Sequence, residues 1–251
     1  QSGMKGYGKS VFRGTEIERF NVEVIDVLRN FFPKQDIILI RCSAHPVVER
    51  ANIIAGMSGS PIYLFPPGAQ EGEKLAGALA YGWGFSKEPI AGVTPIEYMI
   101  GEMERPLEKS GRLPFPADSM VQPCGLPLVM SGCTPRAIQD LAKALDGTGI
   151  LPMEGGGGGA TDGPEIRVEP GCALGVSLMT GDFDATATGT VTWVDGDRVL
   201  AFGHSFFGAG EIPMPVSTCV IHTVMPSLGR SFKMSSPVKQ VGAMVQDRAN
   251  A

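Results

Sequence analysis

Gly56-Met57-Ser58-Gly59-Ser60-Pro61-Ile62 links the mostly apolar run Ala51 to Ala55 to the segment that begins Tyr63-Leu64. A serine between glycines, at a turn joining two apolar segments, is what a nucleophilic hydroxyl requires, because small neighbours let a substrate carbonyl approach. The same glycines allow the backbone to curl until the N–H groups of Gly56 and Ser58 converge on one spot, the arrangement of an oxyanion hole. Glycine, serine and proline are also the residues of an ordinary turn between strands, so the motif alone leaves both readings open.

Around this turn the chain reads as strands. Gly3 to Gly14 suggests a short strand and a hairpin, and Ile17 to Leu28 alternates in part (Phe20, Val22, Val24, Ile25, Val27), as a strand with a slip or bulge does. Ile37 to Ile40 is a short apolar run bounded by polar residues, a buried strand. Pro95 to Glu104 and Thr134 to Leu145 carry apolar residues at helical spacing, each with proline at a first-turn position, and Thr134 is a natural N-cap. Arg105 to Pro127 is rich in Pro and Gly, and Gly155 to Gly159 is a run of five glycines, so both read as connections. Beyond them come short strands within Glu169 to Leu178, Ile212 to Val216, Thr218 to Val224, Phe232 to Met234 and Val241 to Val245. The end of the chain soon after Arg248, without a closing turn or helix, suggests a portion of a longer protein.

Composition agrees with an all-β molecule. The chain has 251 residues, 43% hydrophobic, with 34 glycines, 20 prolines and only 19% charged residues, which suits many short strands and tight turns. A net charge of −5 without any Lys/Arg cluster argues against nucleic acid as a partner. No apolar stretch approaches the ~20 residues of a membrane-spanning helix. The five cysteines (Cys42, Cys124, Cys133, Cys172, Cys219) and three histidines (His45, His204, His222) show no metal-ligand spacing, so no metal or organic cofactor is expected. The cysteines read as small buried apolar residues, with a Cys124–Cys133 disulfide as an alternative in an exported protein.

Lys74-Leu75-Ala76-Gly77-Ala78-Leu79-Ala80-Tyr81-Gly82-Trp83-Gly84 and Ala91-Gly92-Val93-Thr94-Pro95-Ile96-Glu97-Tyr98, following the serine turn, resemble the end of a chymotrypsin-like domain. That resemblance singles out Ala80, Tyr81 and Gly82 as the edge that pairs with an extended substrate peptide. Gly-Met-Ser-Gly-Ser-Pro-Ile is closer still to the sporulation stage IV B (SpoIVB-type) serine peptidases. The likeness spans Phe20 to Val27 and Ile37 to Ile100 and returns at Gly189 to His204, where Thr188 to Trp193, the turn Val194-Asp195-Gly196-Asp197 and Arg198 to His204 look like the family's hairpin ending in its catalytic histidine.

The resemblance implies Ser58 as nucleophile and His204 as general base. His204 lies 146 residues after Ser58, so two separate lobes must bring them together, within one chain or between molecules. Serine before histidine inverts the usual chymotrypsin-like order. Where the family carries the triad aspartate, fifteen residues before the nucleophile, this chain has Ser43. A hydroxyl can accept the imidazole N–H but cannot stabilise the imidazolium as a carboxylate does. Either Ser43 or a backbone carbonyl orients the pair, or an acid such as Asp182, Asp184, Glu211 or Asp247 takes over, or activity is lost.

The expected architecture is all-β: two Greek-key barrel-like lobes, chymotrypsin-like with inverted lobe order, and two accessory helices. A serine-bearing lobe spans 1–110, a connection with one helix and the glycine linker 111–165, and a histidine-bearing lobe 166–251. The expected function is a serine endopeptidase acting on a protein or peptide in a regulatory or self-processing role, with a catalytically inactive peptidase-fold binding module as the alternative. Family resemblance further implies action outside the cytoplasm, on a substrate that includes membrane-associated proteins.

Overall fold

Alternation along the second strand shows how the sequence builds the first lobe. Phe20, Val22 and Val24 point inward between exposed Arg19, Asn21 and Glu23, and a register shift between Val24 and Asp26 supplies the expected bulge. In this computed structural model, which describes residues 1–106, 121–156 and 164–250, β1 (Lys5–Val11), β2 (Ile17–Phe32), β3 (Gln35–Ser43), β4 (Pro61–Leu64), β5 (Lys74–Trp83) and β6 (Ile90–Pro95) form one antiparallel sheet. Their order is β4-β1-β2-β3-β6-β5, and β4 pairs with both β1 and β5, which closes a six-stranded barrel. The run β4-β1-β2-β3 is a Greek key. Phe20, Val24, Ile40, Ile62, Leu79 and Val93 fill its interior.

Two helices attach to this barrel. α1 (Pro46–Ala51) lies in the connection from β3 to the serine turn and was not anticipated, since six residues are too few to establish a helical period. α2 (Ile96–Glu104) follows β6, with Pro95 as its N-cap and not its first residue. A short strand, β7 (Val121–Pro123), then adds to β5 beyond the reach of β4.

The second lobe contains β8 (Leu126–Ser131), α3 (Pro135–Ala144), β9 (Ile150–Glu154), β10 (Ala173–Met179), β11 (Asp184–Asp195), β12 (Arg198–Ala201), β13 (Gly210–Met225) and β14 (Phe232–Asp247). Its sheet runs β14-β13-β10-β11-β8-β9 with β12 on β11, antiparallel except for the β8–β9 pair. The all-β, two-lobe expectation holds. The first lobe closes into a barrel, whereas the second is a mixed sheet for which no closing pair exists among the described residues. Thr134 caps α3 through its Oγ1, which accepts from the Ala137 N–H at 3.3 Å.

Other details depart from the sequence reading. The stretch 111–165 is more than a connection, because β7 joins the first sheet, β8 and β9 join the second, and α3 packs beside β9. Residues 107–120, within the Pro/Gly-rich stretch, and 157–163, which include most of the glycine run, lie outside the described residues. Segments 212–216 and 218–224 are parts of one strand, β13, whose register against β14 shifts four times. All five cysteines are free. The Cys124–Cys133 disulfide is absent, and the Cys124 thiol instead donates to the Ile54 carbonyl at 3.2 Å.

The lobes meet at the serine turn. The Thr190 N–H donates to the Ser58 carbonyl at 2.8 Å, the Thr190 hydroxyl to the Gly56 carbonyl at 2.9 Å, and the Thr192 hydroxyl to the Gly59 carbonyl at 2.8 Å. The start of β14 and the residue before it add the Ala55 N–H on the Ser231 carbonyl at 2.8 Å and the Lys233 N–H on the Ala55 carbonyl at 3.0 Å. Gly59 has φ +93°, and a Cβ there would sit 2.0 Å from the Thr190 carbonyl oxygen and 2.5 Å from the Phe202 nitrogen. Backbone from the opposite lobe occupies the space a side chain needs. Gly59→Ala is therefore expected to cost roughly 3 kcal/mol or more, read as a lowered urea midpoint, because strained φ and overpacking act together; an unchanged midpoint would contradict the lobe contact described.

Candidate active site

The two lobes bring the serine of the turn and the histidine of the 188–204 hairpin together. Ser58 Oγ lies 2.8 Å from His204 Nε2, and both side chains are buried. Ser58 projects from the turn between Ala55 and β4. His204 follows β12 at a sharp bend in which Phe202 (φ 67°) and Gly203 (φ 74°) both adopt left-handed backbone. Gly203 also packs closely on the first lobe, since a Cβ there would be 2.8 Å from that of Ala78, while its carbonyl accepts from the Thr94 hydroxyl at 2.7 Å.

The other ring nitrogen fixes the histidine's role. Nδ1 lies 2.8 Å from the Ser205 carbonyl oxygen, which can only accept. Nδ1 therefore carries the proton, leaving the Nε2 lone pair for the Ser58 hydroxyl. The competing histidines are engaged elsewhere. His45 stacks on Phe12 with Nε2 3.2 Å from Glu18, and His222 bonds the Ser236 hydroxyl at 2.8 Å.

Ser43 does not take the place of the triad acid. It ends β3 opposite Asn21 as an exposed residue and makes no contact with His204, so counting back from the nucleophile reaches the barrel surface and not the site. Asp182 and Glu211 are exposed, and Asp184 accepts from the Thr186 hydroxyl at 3.0 Å with its carboxyl raised above the usual range by burial. Among the described candidate acids, Asp247 holds the histidine loop. Its buried carboxylate accepts from the N–H groups of Phe206 at 2.7 Å, Phe207 at 2.6 Å and Ala209 at 3.1 Å. It thus holds the loop whose Ser205 carbonyl orients the imidazole, an indirect action that the sequence position alone does not reveal.

The expected oxyanion donors are placed together but one is occupied. The Gly56 N–H donates to the Gly125 carbonyl at 2.8 Å, and that same oxygen is 3.4 Å from Ser58 Oγ. The Ser58 N–H faces the Cys124 sulfur, whose ionised form it and the Ser58 hydroxyl favour. The expected substrate edge is covered too: Tyr81 pairs with Pro123 and Gly82 with Gln122, and the Cys124 N–H donates to the Ala80 carbonyl at 2.7 Å. Ser58, His204, Gly56 and Ala80–Gly82 therefore meet in one place, where the chain's own residues 121–125 lie upon them.

Sequence reading missed Lys233 altogether, because a lysine between Phe232 and Met234 in a strand carries no mark of pointing inward. Its side chain is wholly buried under the serine turn: a Cβ on Gly56 would lie 3.0 Å from its Cδ, and Nζ donates to the Ser10 hydroxyl at 2.8 Å. Ser10 in turn contacts the Ser60 hydroxyl at 3.1 Å and the Thr190 hydroxyl at 3.4 Å. Burial lowers the ammonium to about 7, against a smaller opposing effect of Cys124.

No family model, curated protein or solved structure matches the chain. Among the described residues, no three His, Cys, Asp or Glu side chains are grouped to hold a metal ion, and no helix is long and apolar enough to cross a membrane.

The Lys233 shift makes a prediction about stability. With an unfolded value of roughly 10.4, the unfolded chain holds a proton that the folded chain lacks between about pH 7 and 10, so stability rises with pH there by up to about 1.4 kcal/mol per unit. Below that window both states are protonated and the penalty stays constant. The buried thiols act in the opposite sense. Burial raises Cys124 to about 11 and Cys219 to about 12, so deprotonation favours the unfolded chain above about pH 8.5. Urea unfolding should show stability climbing from pH 7 to about 8.5 and falling at higher pH. Lys233→Met should remove the climb and keep the fall, and a climb of equal slope in this variant would contradict the assignment.

Proposed function

We propose that the chain is a serine endopeptidase that cleaves a protein or peptide through an acyl-enzyme. The observation that carries this reading is the 2.8 Å contact between Ser58 Oγ and an Nε2 whose tautomer is set by the Ser205 carbonyl on Nδ1. In the acylation step Ser58 Oγ attacks the substrate carbonyl carbon while its proton passes to Nε2. His204 then gives that proton to the leaving amine as the C–N bond breaks. Water repeats the sequence, losing a proton to Nε2 as it attacks the ester and returning Ser58 its hydrogen when the acyl group departs as a carboxylic acid. Once the Gly125 carbonyl has left the Gly56 N–H, that group and the Ser58 N–H hold the negative oxygen at each tetrahedral stage.

The Ser205 carbonyl on Nδ1 orients the ring and holds the tautomer in which Nε2 is the base. A buried serine covered by the chain's own residues 121–125 suits a regulatory or self-processing role better than bulk digestion. Resemblance of Gly56–Ile62 and Gly189–His204 to the SpoIVB-type peptidases supports a protein substrate met outside the cytoplasm, membrane-associated proteins included. The second reading, an inactive peptidase-fold module that binds a peptide, is favoured by the filled substrate edge.

A fluorophosphonate probe with peptide mapping separates the two. On the peptidase reading the label is confined to Ser58, vanishes in Ser58→Ala and His204→Ala, and persists in Ser43→Ala. Asp247→Asn, which weakens the grip on the loop, should label about tenfold more slowly while remaining folded. Folded protein that never labels, even after long exposure, would select the binding module.

A further inference from the structure

We propose that residues 121–125 form a strand bound in cis in the peptide groove of this site, and that a substrate enters by displacing it. The inference rests on the reading of Ser58 and β5 as a peptide site and adds how that site is closed.

The contacts are those an added strand makes. β7 runs antiparallel to β5 with Trp83 opposite Val121, Gly82 opposite Gln122 and Tyr81 opposite Pro123, and the Cys124 N–H continues the ladder onto the Ala80 carbonyl at 2.7 Å. The next residue brings its carbonyl to the nucleophile. Gly125 O takes the Gly56 N–H at 2.8 Å and lies 3.4 Å from Ser58 Oγ, close to where the carbonyl oxygen of a bound peptide belongs. Half of the oxyanion hole is thereby used by the chain itself.

The same geometry shows why this segment is an occupant and not a cleavage site. Gly125 turns with φ +98°, and the Leu126 N–H is held by the Gly149 carbonyl at 2.9 Å, so the Gly125–Leu126 peptide is fastened into the second lobe. A Cβ on Gly125 would also crowd the Arg230 guanidinium at 3.1 Å and the Gly149 carbonyl at 3.3 Å. The chain bends away at the point where a substrate would continue past the nucleophile.

Displacement is within reach of a competing strand. Among the described residues β7 is a three-residue edge strand whose Val121 and Gln122 are half-buried, and Gln122 is tied to the Arg230 guanidinium. Its ladder bonds to β5 are worth about 1 kcal/mol net each, and an incoming strand that repeats their pattern replaces them one for one. The occupant also indicates what fits. Cys124 is 4% exposed with its thiol on the Ile54 carbonyl, so the ligand is an extended peptide with a small side chain at the residue whose N–H meets the Ala80 carbonyl.

The test locks the strand reversibly. Trp83 and Val121 stand directly opposite one another, so Trp83→Cys with Val121→Cys allows a disulfide across the pair. Two signals are read in the oxidised and reduced forms: the rate of fluorophosphonate labelling at Ser58, and binding of a fluorescent Val-Gln-Pro-Ala-Gly peptide. Both should fall at least tenfold on oxidation and return on reduction, and Gln122→Ala, which releases the Arg230 tie, should raise both above the parent. Peptide binding gated by the disulfide in a protein that never labels would uphold the strand proposal while removing the serine chemistry. Equal labelling and equal peptide binding in the oxidised and reduced forms would overturn the proposal.

Discussion

The Thr190 N–H on the Ser58 carbonyl is the contact on which the site depends. Ser58 and His204 come from different sheets, and their 2.8 Å contact survives only if the lobes cannot slide. The flanking hydroxyl bonds from Thr190 and Thr192 to Gly56 and Gly59 hold both sides of the serine turn to β11. The same strand leads, through the β12 hairpin, to His204. One strand thus fixes the turn that carries the serine and starts the hairpin that carries the histidine, so the pair is set by a short piece of backbone and not by long-range packing alone.

Burial of polar groups behind the serine turn has a price in free energy, and the structure shows how it is limited. Ser10, Ser60, Thr190 and Lys233 form a connected set of donors and acceptors in which each hydroxyl has a partner. Burial favours the neutral amine of Lys233, and its alkyl chain fills the space that the missing side chain of Gly56 leaves. On the histidine side Asp247 does comparable work, gathering three N–H groups of the 206–209 segment that would otherwise be left without partners in a buried bend.

What the sequence discloses and what it conceals follow from distance along the chain. The serine turn, the 188–204 hairpin and the alternation in β2 are local patterns, and local backbone chemistry suffices to read them. Ser43 was misplaced because counting residues from a motif assumes a loop of fixed path, while here β3 carries that residue to the barrel surface and α1 intervenes. Asp247 could be named as a candidate but not given its role, since its partners are main-chain N–H groups some forty residues away. Val121-Gln122-Pro123 looks like linker because three residues ending in proline have no period to detect, and only the folded chain shows them lying along β5.

The most direct test of the central claim, that Ser58 and His204 act as one unit, is the intact mass of the protein after rapid acid quench from an activated peptide ester. The account predicts a burst species heavier by one acyl group, mapped to the peptide containing Ser58 and missing from His204→Ala. Ester turnover with no acyl group on Ser58, or with the group on another residue, would contradict it.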